Sequence, residues 1–106
     1  MFARFVEART KPGKREQVSN LLLNDLLPIM QRHRGFVGMV GLFSDTDANE
    51  GGGLSLWETK EDAERFYNSM EYLSMLNRFK PLVEDIKVRT FTVTRTTFQK
   101  AMATGA

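Results

Sequence analysis

The amino-acid sequence predicts one α+β domain in which a four-stranded antiparallel sheet carries two helical regions on the same face. Three observations predict it: strand-like segments with apolar residues on both faces, a helical apolar stripe after the first strand, and the element order. The chain has 106 residues, of which 42% are hydrophobic and 26% charged, a balance typical of a globular domain. We expect a domain over residues 1–98 and a flexible tail over residues 99–106.

The first strand is predicted from Phe2 to Thr10, where residues favourable to strands end at the turn formed by Lys11, Pro12 and Gly13. Residues 2, 6 and 8 share one face, and residues 3 and 5 share the other. Since both faces carry apolar side chains, we expect each face to pack against another layer.

A long amphipathic helix follows, because apolar residues recur every three or four positions from Val18 to Met30. Pro28 has no amide to donate to the carbonyl of Asn24, so we expect a kink or the end of the regular helix there. Gly35 is predicted to end the helical segment.

A hairpin is predicted next, from a strand over Phe36 to Ser44 and a strand over Leu54 to Glu58, joined by a polar, glycine-containing loop. Alternation in the first of these strands places Phe36, Val40 and Leu42 on one face. The opposite face of that strand would carry residues 37, 39 and 43.

The second half of the chain repeats the pattern of helix followed by strand. Thr59 and Ser69 are predicted to cap two short helices. A final strand is expected from Lys87 to Phe98, and a shift in its apolar phase between residues 88 and 91 predicts a bulge.

The resulting order, β-α-β-β-α-β, is that of the ferredoxin-like split βαβ fold. Both helical regions then cover one face of the sheet and leave an apolar face open. We expect a second copy of the chain to cover that face, which gives a homodimeric α+β barrel enclosing a cavity for a small organic molecule.

Composition excludes several classes of function. The chain has no cysteine and one histidine, so we expect no disulfide, no thiolate chemistry and no zinc site. The net charge is only +2 and no long apolar run is present, so we expect neither nucleic acid nor membrane as a partner. The first residues lack the apolar core of a secretory signal, which favours a cytoplasmic location.

Three short motifs carry a resemblance to a known family. They are Lys11-Pro12-Gly13-Lys14, Arg34-Gly35-Phe36 and Leu56-Trp57-Glu58-Thr59. In this order and separation they resemble the antibiotic-biosynthesis-monooxygenase-like domains of the dimeric α+β barrel superfamily. The resemblance implies a homodimer with a cavity between helices and sheet and, in some members, cofactor-independent oxidation of polycyclic phenols by dioxygen.

The resemblance also implies site residues. Trp57 matches the tryptophan of the quinone-forming members, which have an Asn four residues earlier and a Tyr six residues later. Those two positions are Gly53 and Ala63 here, and Tyr67, one helical turn further on, is the candidate replacement. Trp57 and Tyr67 are therefore the candidate catalytic residues. The haem-degrading relatives place an iron-binding His where this chain has Leu76, which disfavours haem.

Five further residues are candidates for ligand contact at the cavity or its rim: Arg4, Glu7, His33, Asn77 and Arg78. Arg4 and Glu7 are predicted to face opposite sides of the first strand, so they cannot act as one pair. Each candidate also has a structural interpretation, as a surface residue or, for Trp57, as a core residue.

Two functional hypotheses remain open from the sequence. The first is an oxygenase that uses the carbanion chemistry of its own aromatic or polyphenolic substrate and binds no cofactor. The second is a dimeric ligand-binding or stress-related accessory protein of the same fold, without catalysis. A third, a purely structural dimer module, predicts an interior with no room for a ligand.

Overall fold

The computed structural model describes residues 1–97 as a four-stranded sheet with helices packed on one face. The strands are β1 (Phe2–Thr10), β2 (Phe36–Phe43), β3 (Glu50–Trp57) and β4 (Val83–Thr92). The helices are α1 (Arg15–Asn20), a π-helical segment (Leu21–Leu26), α2 (Leu27–Gln31), α3 (Lys60–Tyr67) and α4 (Met70–Phe79), with a 3₁₀ turn (Lys80–Leu82). Residue 98 and the predicted tail lie outside the described residues.

The strand order is β2-β3-β1-β4, and all neighbouring strands are antiparallel. This order confirms the predicted α+β fold of the ferredoxin-like split βαβ class. The predicted start of β3 at Leu54 was wrong, since the strand begins at Glu50. The glycines over residues 51–53 lie in the sheet because each pairs with β1 and with β2.

The predicted long helix is present between β1 and β2, but its regular part is interrupted before Pro28. Within the π-helical segment, the Leu27 N–H donates to the carbonyl of Leu22, five residues back. This inserts an extra residue ahead of the proline, whose ring would otherwise meet the carbonyl of Asn24. The helix therefore continues through Pro28 to Gln31 instead of ending there.

The faces of β2 differ from the prediction at one residue. Phe36 stands opposite Trp57, and the pairing shifts by one residue immediately afterwards. This irregularity reverses the alternation, so Phe36 shares the helix-facing side with Met39, while Val40 and Leu42 face away from the helices. Strict alternation from Phe36 to Leu42 was the wrong assumption.

Strand β4 begins and ends earlier than predicted, over Val83–Thr92 instead of Lys87 to Phe98. Val83 belongs to the strand because it pairs with Thr10 and is buried. The bulge predicted between residues 88 and 91 was wrong, because the pairing with β1 is regular there, and the strand has its bulge before residue 87 instead. It is centred on Asp85, whose φ of 55° is the positive value that such an extra residue can adopt.

Both predicted helix caps are confirmed. Thr59 Oγ1 accepts from the Asp62 N–H at 3.1 Å, and Ser69 Oγ accepts from the Tyr72 N–H at 3.2 Å. Gly35 lies against the side chain of Asp62 with a φ of 85°. A side chain at Gly35 would both strain the backbone and overlap that carboxylate, so this tight approach of β2 to α3 requires glycine.

The core lies between the helices and the sheet, where Trp57, Phe66 and Met30 are the largest fully buried side chains. No helix among residues 1–97 packs on the opposite face of the sheet. Three of its large apolar side chains, Val40, Leu42 and Phe91, are each close to half exposed. The predicted open apolar face is therefore present. Within residues 1–97, no helix has both the length and the apolar character needed to cross a membrane.

Candidate functional site

Trp57, the last residue of β3, is fully buried in an aromatic cluster. Its ring stacks on Phe66 with the centroids 5.3 Å apart, and it meets Phe36 and Tyr67 edge-on at 5.4 and 5.9 Å. Trp57 is thus a core residue, as its structural interpretation predicted. Its indole ring is closed to solvent, and its one polar atom is directed to a neighbouring serine.

That serine is Ser55, which lies two residues before Trp57 and therefore on the same face of β3. Ser55 is 3% exposed, and its Oγ accepts from the indole N–H of Trp57 at 3.0 Å. The same oxygen lies 2.8 Å from the Tyr67 hydroxyl and 3.4 Å from the carbonyl oxygen of Arg4. Ser55 therefore connects the buried indole to a strand and to a half-buried phenol.

Tyr67 is the last residue of α3, and its side chain is largely buried against the sheet. Burial raises the pKa of its hydroxyl above the ordinary value of 10.0. The hydrogen bond to Ser55 and the charge of Arg4 oppose this rise. The Tyr67 hydroxyl is consequently protonated at neutral pH and can donate a hydrogen bond.

Arg4 lies in the middle of β1 on the helix-facing side. Its guanidinium carbon is 3.7 Å from the centroid of the Tyr67 ring, a cation–π geometry, and its Nη1 donates to the Tyr72 hydroxyl at 3.5 Å. The Tyr67 and Tyr72 rings meet edge-on with centroids 4.7 Å apart. Two phenol rings and one guanidinium therefore form a single contact group.

The charge of Arg4 has no acidic partner within residues 1–97, where none of the ion pairs involves it. Over the same residues its guanidinium makes one side-chain hydrogen bond, although it carries five N–H donors. A half-buried cation in this state favours an anionic oxygen as an added partner. We refer to Arg4, Ser55, Trp57, Tyr67 and Tyr72 as the Arg4 cluster.

Within residues 1–97, the Arg4 cluster borders the exposed strand β4. Arg4 stands between Ser55 on β3 and Thr90 on β4 in the sheet register. Thr90 is exposed, and Val88, which faces the same side two residues earlier, is 46% exposed. Among residues 1–97 the helices pack mainly over the other three strands, so the helix-facing side of β4 is the exposed border of the Arg4 cluster.

Glu7 faces the helix-free side of the sheet, opposite to Arg4 as predicted. It contributes to two surface depressions at one end of that face, with volumes of about 490 and 260 Å³. Neither depression includes Trp57 or Tyr67. The structure therefore does not bring Glu7 together with the Arg4 cluster.

The remaining candidates are His33, which follows α2 and is part-buried, and two exposed residues of α4. His33 Nε2 is 2.8 Å from Glu71 Oε1, and its ring packs edge-on against Phe66 at 4.8 Å. Arg78 donates to Asp25 at 2.6 Å and so ties α4 to the π-helical segment. Asn77 is exposed on α4. These three residues are not in the Arg4 cluster.

Gly53 and Ala63 stand where the resemblance implies Asn and Tyr. The surroundings of the two positions differ. A Cβ placed on Gly53 would meet no atom within 4 Å, and Gly53 faces the same side as Ser55. Ala63 is 1% exposed within the core. The position of the implied Asn thus has room for a side chain, whereas the position of the implied Tyr is buried among core residues.

Ser55 and Tyr72 were not among the candidate residues named from the sequence. The signal for Ser55 was available, because a residue two positions from Trp57 on a strand must share its face. The contact of Tyr72 with Arg4 joins residues 68 positions apart, and no local pattern indicates it. Within residues 1–97, no group of three or more His, Asp or Glu side chains is arranged to hold a metal ion.

Comparison with known proteins gives matches among solved structures alone: no family model and no curated protein matches the chain. A Nitrosomonas europaea protein provisionally named an antibiotic biosynthesis monooxygenase is similar at a TM-score of 0.79 and 19% identity, over 90% of this chain and all of that one. SnoaB from Streptomyces nogalater, a cofactor-independent oxygenase, is similar at 0.77 and 18%, over 91% of this chain and 96% of its own.

A Nitrosomonas europaea protein of unknown function is similar to the same degree, with a TM-score of 0.76 and 14% identity over 91% of each chain. At these identities the likeness concerns the backbone fold. It confirms the fold that the three sequence motifs implied. The chain therefore has the fold of the structures named antibiotic biosynthesis monooxygenases.

Proposed function

We propose that the chain binds a planar phenolic or polyphenolic small molecule at the Arg4 cluster and oxidises it with dioxygen without a bound cofactor. The observation that carries the proposal is the half-buried guanidinium of Arg4, which lies on the Tyr67 ring with no acidic partner within residues 1–97. A flat aromatic anion satisfies this group in two ways, because its oxygen pairs with the cation and its ring packs against the phenols.

The chemistry assigned to Arg4 is stabilisation of the substrate anion. Anthrone loses a proton to solvent to give an anion whose charge is shared between ring carbon and oxygen. A fixed guanidinium beside that oxygen favours the anion over the neutral form. The anion is the electron-rich species that reacts with dioxygen, so Arg4 raises the amount of reactive substrate.

The chemistry assigned to Tyr67 is proton donation after oxygen has added. The substrate carbanion forms a carbon–oxygen bond with dioxygen to give a peroxide anion, which takes a proton from the Tyr67 hydroxyl. The Tyr67 phenolate then regains a proton from solvent. The hydroperoxide then eliminates water, so one oxygen atom remains as the product carbonyl and the other leaves in water. Tyr67 suits this step because its hydroxyl carries a proton at neutral pH and its ring lies against Arg4, the group that would hold the substrate anion.

The alternative function is binding of the same class of molecule without catalysis. Specific observations favour it: Trp57 is fully buried, and the positions implied for a catalytic Asn and Tyr are Gly53 and Ala63. A chain that lacks those polar groups can retain the affinity of the Arg4 cluster while lacking the proton transfers. Turnover is what separates the two functions.

We also propose that the chain acts as a homodimer through the helix-free face of the sheet. Val40, Leu42 and Phe91 leave an apolar surface there that is unfavourable in water. The same face of a second copy offers a matching apolar surface and gives the two-fold barrel. The Arg4 cluster lies on the other side of the sheet, so each subunit keeps its own site.

The proposed function is tested by oxygen consumption with anthrone as substrate, measured on protein purified without added metal. The wild type, Arg4→Gln and Tyr67→Phe are compared with Arg34→Gln, which removes an exposed arginine remote from the cluster. We expect turnover by the wild type and by Arg34→Gln, and a loss of at least tenfold in the other two variants.

The outcomes distinguish the two functions. Turnover that depends on Arg4 and Tyr67 supports the oxygenase. Calorimetric binding of anthrone without oxygen uptake supports the ligand-binding alternative. If anthrone and other planar phenols neither bind nor react, both functions are wrong for the Arg4 cluster.

A further inference from the structure

Three hydrogen-bonding groups surround the hydroxyl of Ser55. A hydroxyl has one proton to donate and two lone pairs that accept. The indole N–H of Trp57 can only donate, so it occupies one lone pair at 3.0 Å. The proton of Ser55 then has two possible acceptors, the Tyr67 hydroxyl oxygen at 2.8 Å and the Arg4 carbonyl at 3.4 Å.

Two arrangements of protons satisfy these contacts. In the first, Ser55 donates to the Arg4 carbonyl and accepts the proton of Tyr67, so the phenol is occupied. In the second, Ser55 donates to the Tyr67 oxygen, and the phenolic proton is released for another acceptor. The indole bond is the same in both arrangements, so they interconvert by rotation of two hydroxyl groups.

We propose that Ser55 is a positioning residue that makes the Tyr67 proton available to the anionic oxygen of a ligand held at Arg4. The inference rests on the proposed function, because it assigns the mode of recognition at that same site. A ligand oxyanion beside Arg4 offers Tyr67 a stronger acceptor than a neutral hydroxyl, so binding selects the second arrangement. Ser55 then supports the phenol by donating to it.

The geometry favours this role over a purely structural one. A structural serine would serve the Trp57 N–H alone, yet the shorter contact of Ser55 is to Tyr67. Its neighbours on the strand direct its side chain to the helix-facing side, where Arg4 is its direct cross-strand partner. The serine is therefore the cross-strand partner of the residue that would hold the ligand and hydrogen-bonds the hydroxyl that would donate to it.

The test is a double-mutant cycle on the affinity for alizarin, a planar polyphenol that binds as an anion, measured by calorimetry at constant pH. The proteins are the wild type, Ser55→Ala, Tyr67→Phe and the double variant. Tyr67→Phe is expected to weaken binding about fivefold, the effect of one ordinary hydrogen bond. Ser55→Ala is expected to weaken binding by a similar factor, and the double variant no more than Tyr67→Phe.

Ser55→Ala also leaves the Trp57 N–H without its partner, so the cycle is repeated in a Trp57→Phe background, where no indole N–H is present. Non-additive losses in either background support the inference. Independent losses that multiply in the double variant overturn it, because Ser55 would then act without Tyr67. If the wild type does not bind alizarin, the proposed function is wrong, and the inference about Ser55, which rests on it, is wrong as well.

Discussion

The indole N–H of Trp57 donates to the Oγ of Ser55 at 3.0 Å, although both residues lie on one strand, two positions apart. Adjacent side chains on one face of a strand usually compete for the space above it. Here the indole edge turns back along β3 and ends on the hydroxyl. The consequence is that the aromatic core and the half-buried Tyr67 share one hydrogen-bonded atom.

Loss of this shared atom is expected to destabilise the fold. Ser55→Ala leaves the fully buried indole N–H unpaired, which lowers the free energy of unfolding by about 1–3 kcal/mol. In a Trp57→Phe background the same substitution should cost clearly less, because no N–H remains to be satisfied. Urea denaturation of the four proteins measures both losses. Equal losses in the two backgrounds would show that the Trp57 bond contributes nothing.

The raised pKa of Tyr67 predicts a dependence of stability on alkaline pH. Below pH 10 the hydroxyl is protonated in both folded and unfolded chains, and its contribution is constant. Above that pH the unfolded chain releases this proton first, so the folded state loses stability as pH rises toward its own higher pKa. We expect the free energy of unfolding to fall less steeply above pH 10 in Tyr67→Phe than in the wild type.

The pKa of the Tyr67 hydroxyl can be measured separately from that of the other tyrosine. The chain has two tyrosines, so ultraviolet titration in a Tyr72→Phe background follows Tyr67 alone. Its pKa is expected above 10.0, and Ser55→Ala should raise it further because Ser55 stabilises the phenolate. A Tyr67 pKa below 10.0 in the folded protein would contradict the burial argument.

Gly53 and Ala63 stand where the family resemblance implies Asn and Tyr. We expect the chain to tolerate the implied residue at Gly53 but not at Ala63. Gly53→Asn places a side chain in open space at ordinary backbone angles, so stability should stay within about 1 kcal/mol of the wild type. Ala63→Tyr forces a phenol into the packed core and should cost more than about 3 kcal/mol.

Activity gives the second half of this prediction. If the chain is an oxygenase of the implied kind, Gly53→Asn should increase oxygen uptake with anthrone, because an amide is added next to Ser55. Thermal unfolding and oxygen consumption measure the two effects. A Gly53→Asn protein that unfolds as readily as Ala63→Tyr would show that the space above Gly53 is not usable.

The helix-free face is expected to hold the dimer together. Leu42→Glu introduces a charge on edge strand β2, within the proposed interface, and should convert dimers to monomers in sedimentation equilibrium. Leu23→Glu is the matched control, since Leu23 is similarly exposed, at 52% against 47%, but lies on the helical segment. Dissociation by both variants, or by neither, would place the interface elsewhere.

Much of the fold could be predicted because its signals are local. Thr59 and Ser69 are residue types that cap helices, so they indicate where two helices begin. The pattern from Phe2 to Thr10 indicates a strand with apolar residues on both faces. The face of Phe36 could not be predicted, because a bulge is fixed by how two strands pair and not by either strand alone.

The site was harder to predict than the fold. Trp57 and Tyr67 were found through the resemblance, and Arg4 through its polar character in an apolar strand. Their arrangement depends on the register between β1 and β3, which places Arg4 directly opposite Ser55. A shift of one residue in that register would turn Arg4 to the other face, so its role could not follow from sequence spacing.

The most direct measurement of the central claim is the calorimetric affinity of the wild type, Arg4→Gln and Arg34→Gln for alizarin at a pH where its phenolate is formed. If Arg4 is the anion-binding group, Arg4→Gln weakens binding more than tenfold and Arg34→Gln binds as the wild type does. Equal affinity of the wild type and Arg4→Gln would contradict the account.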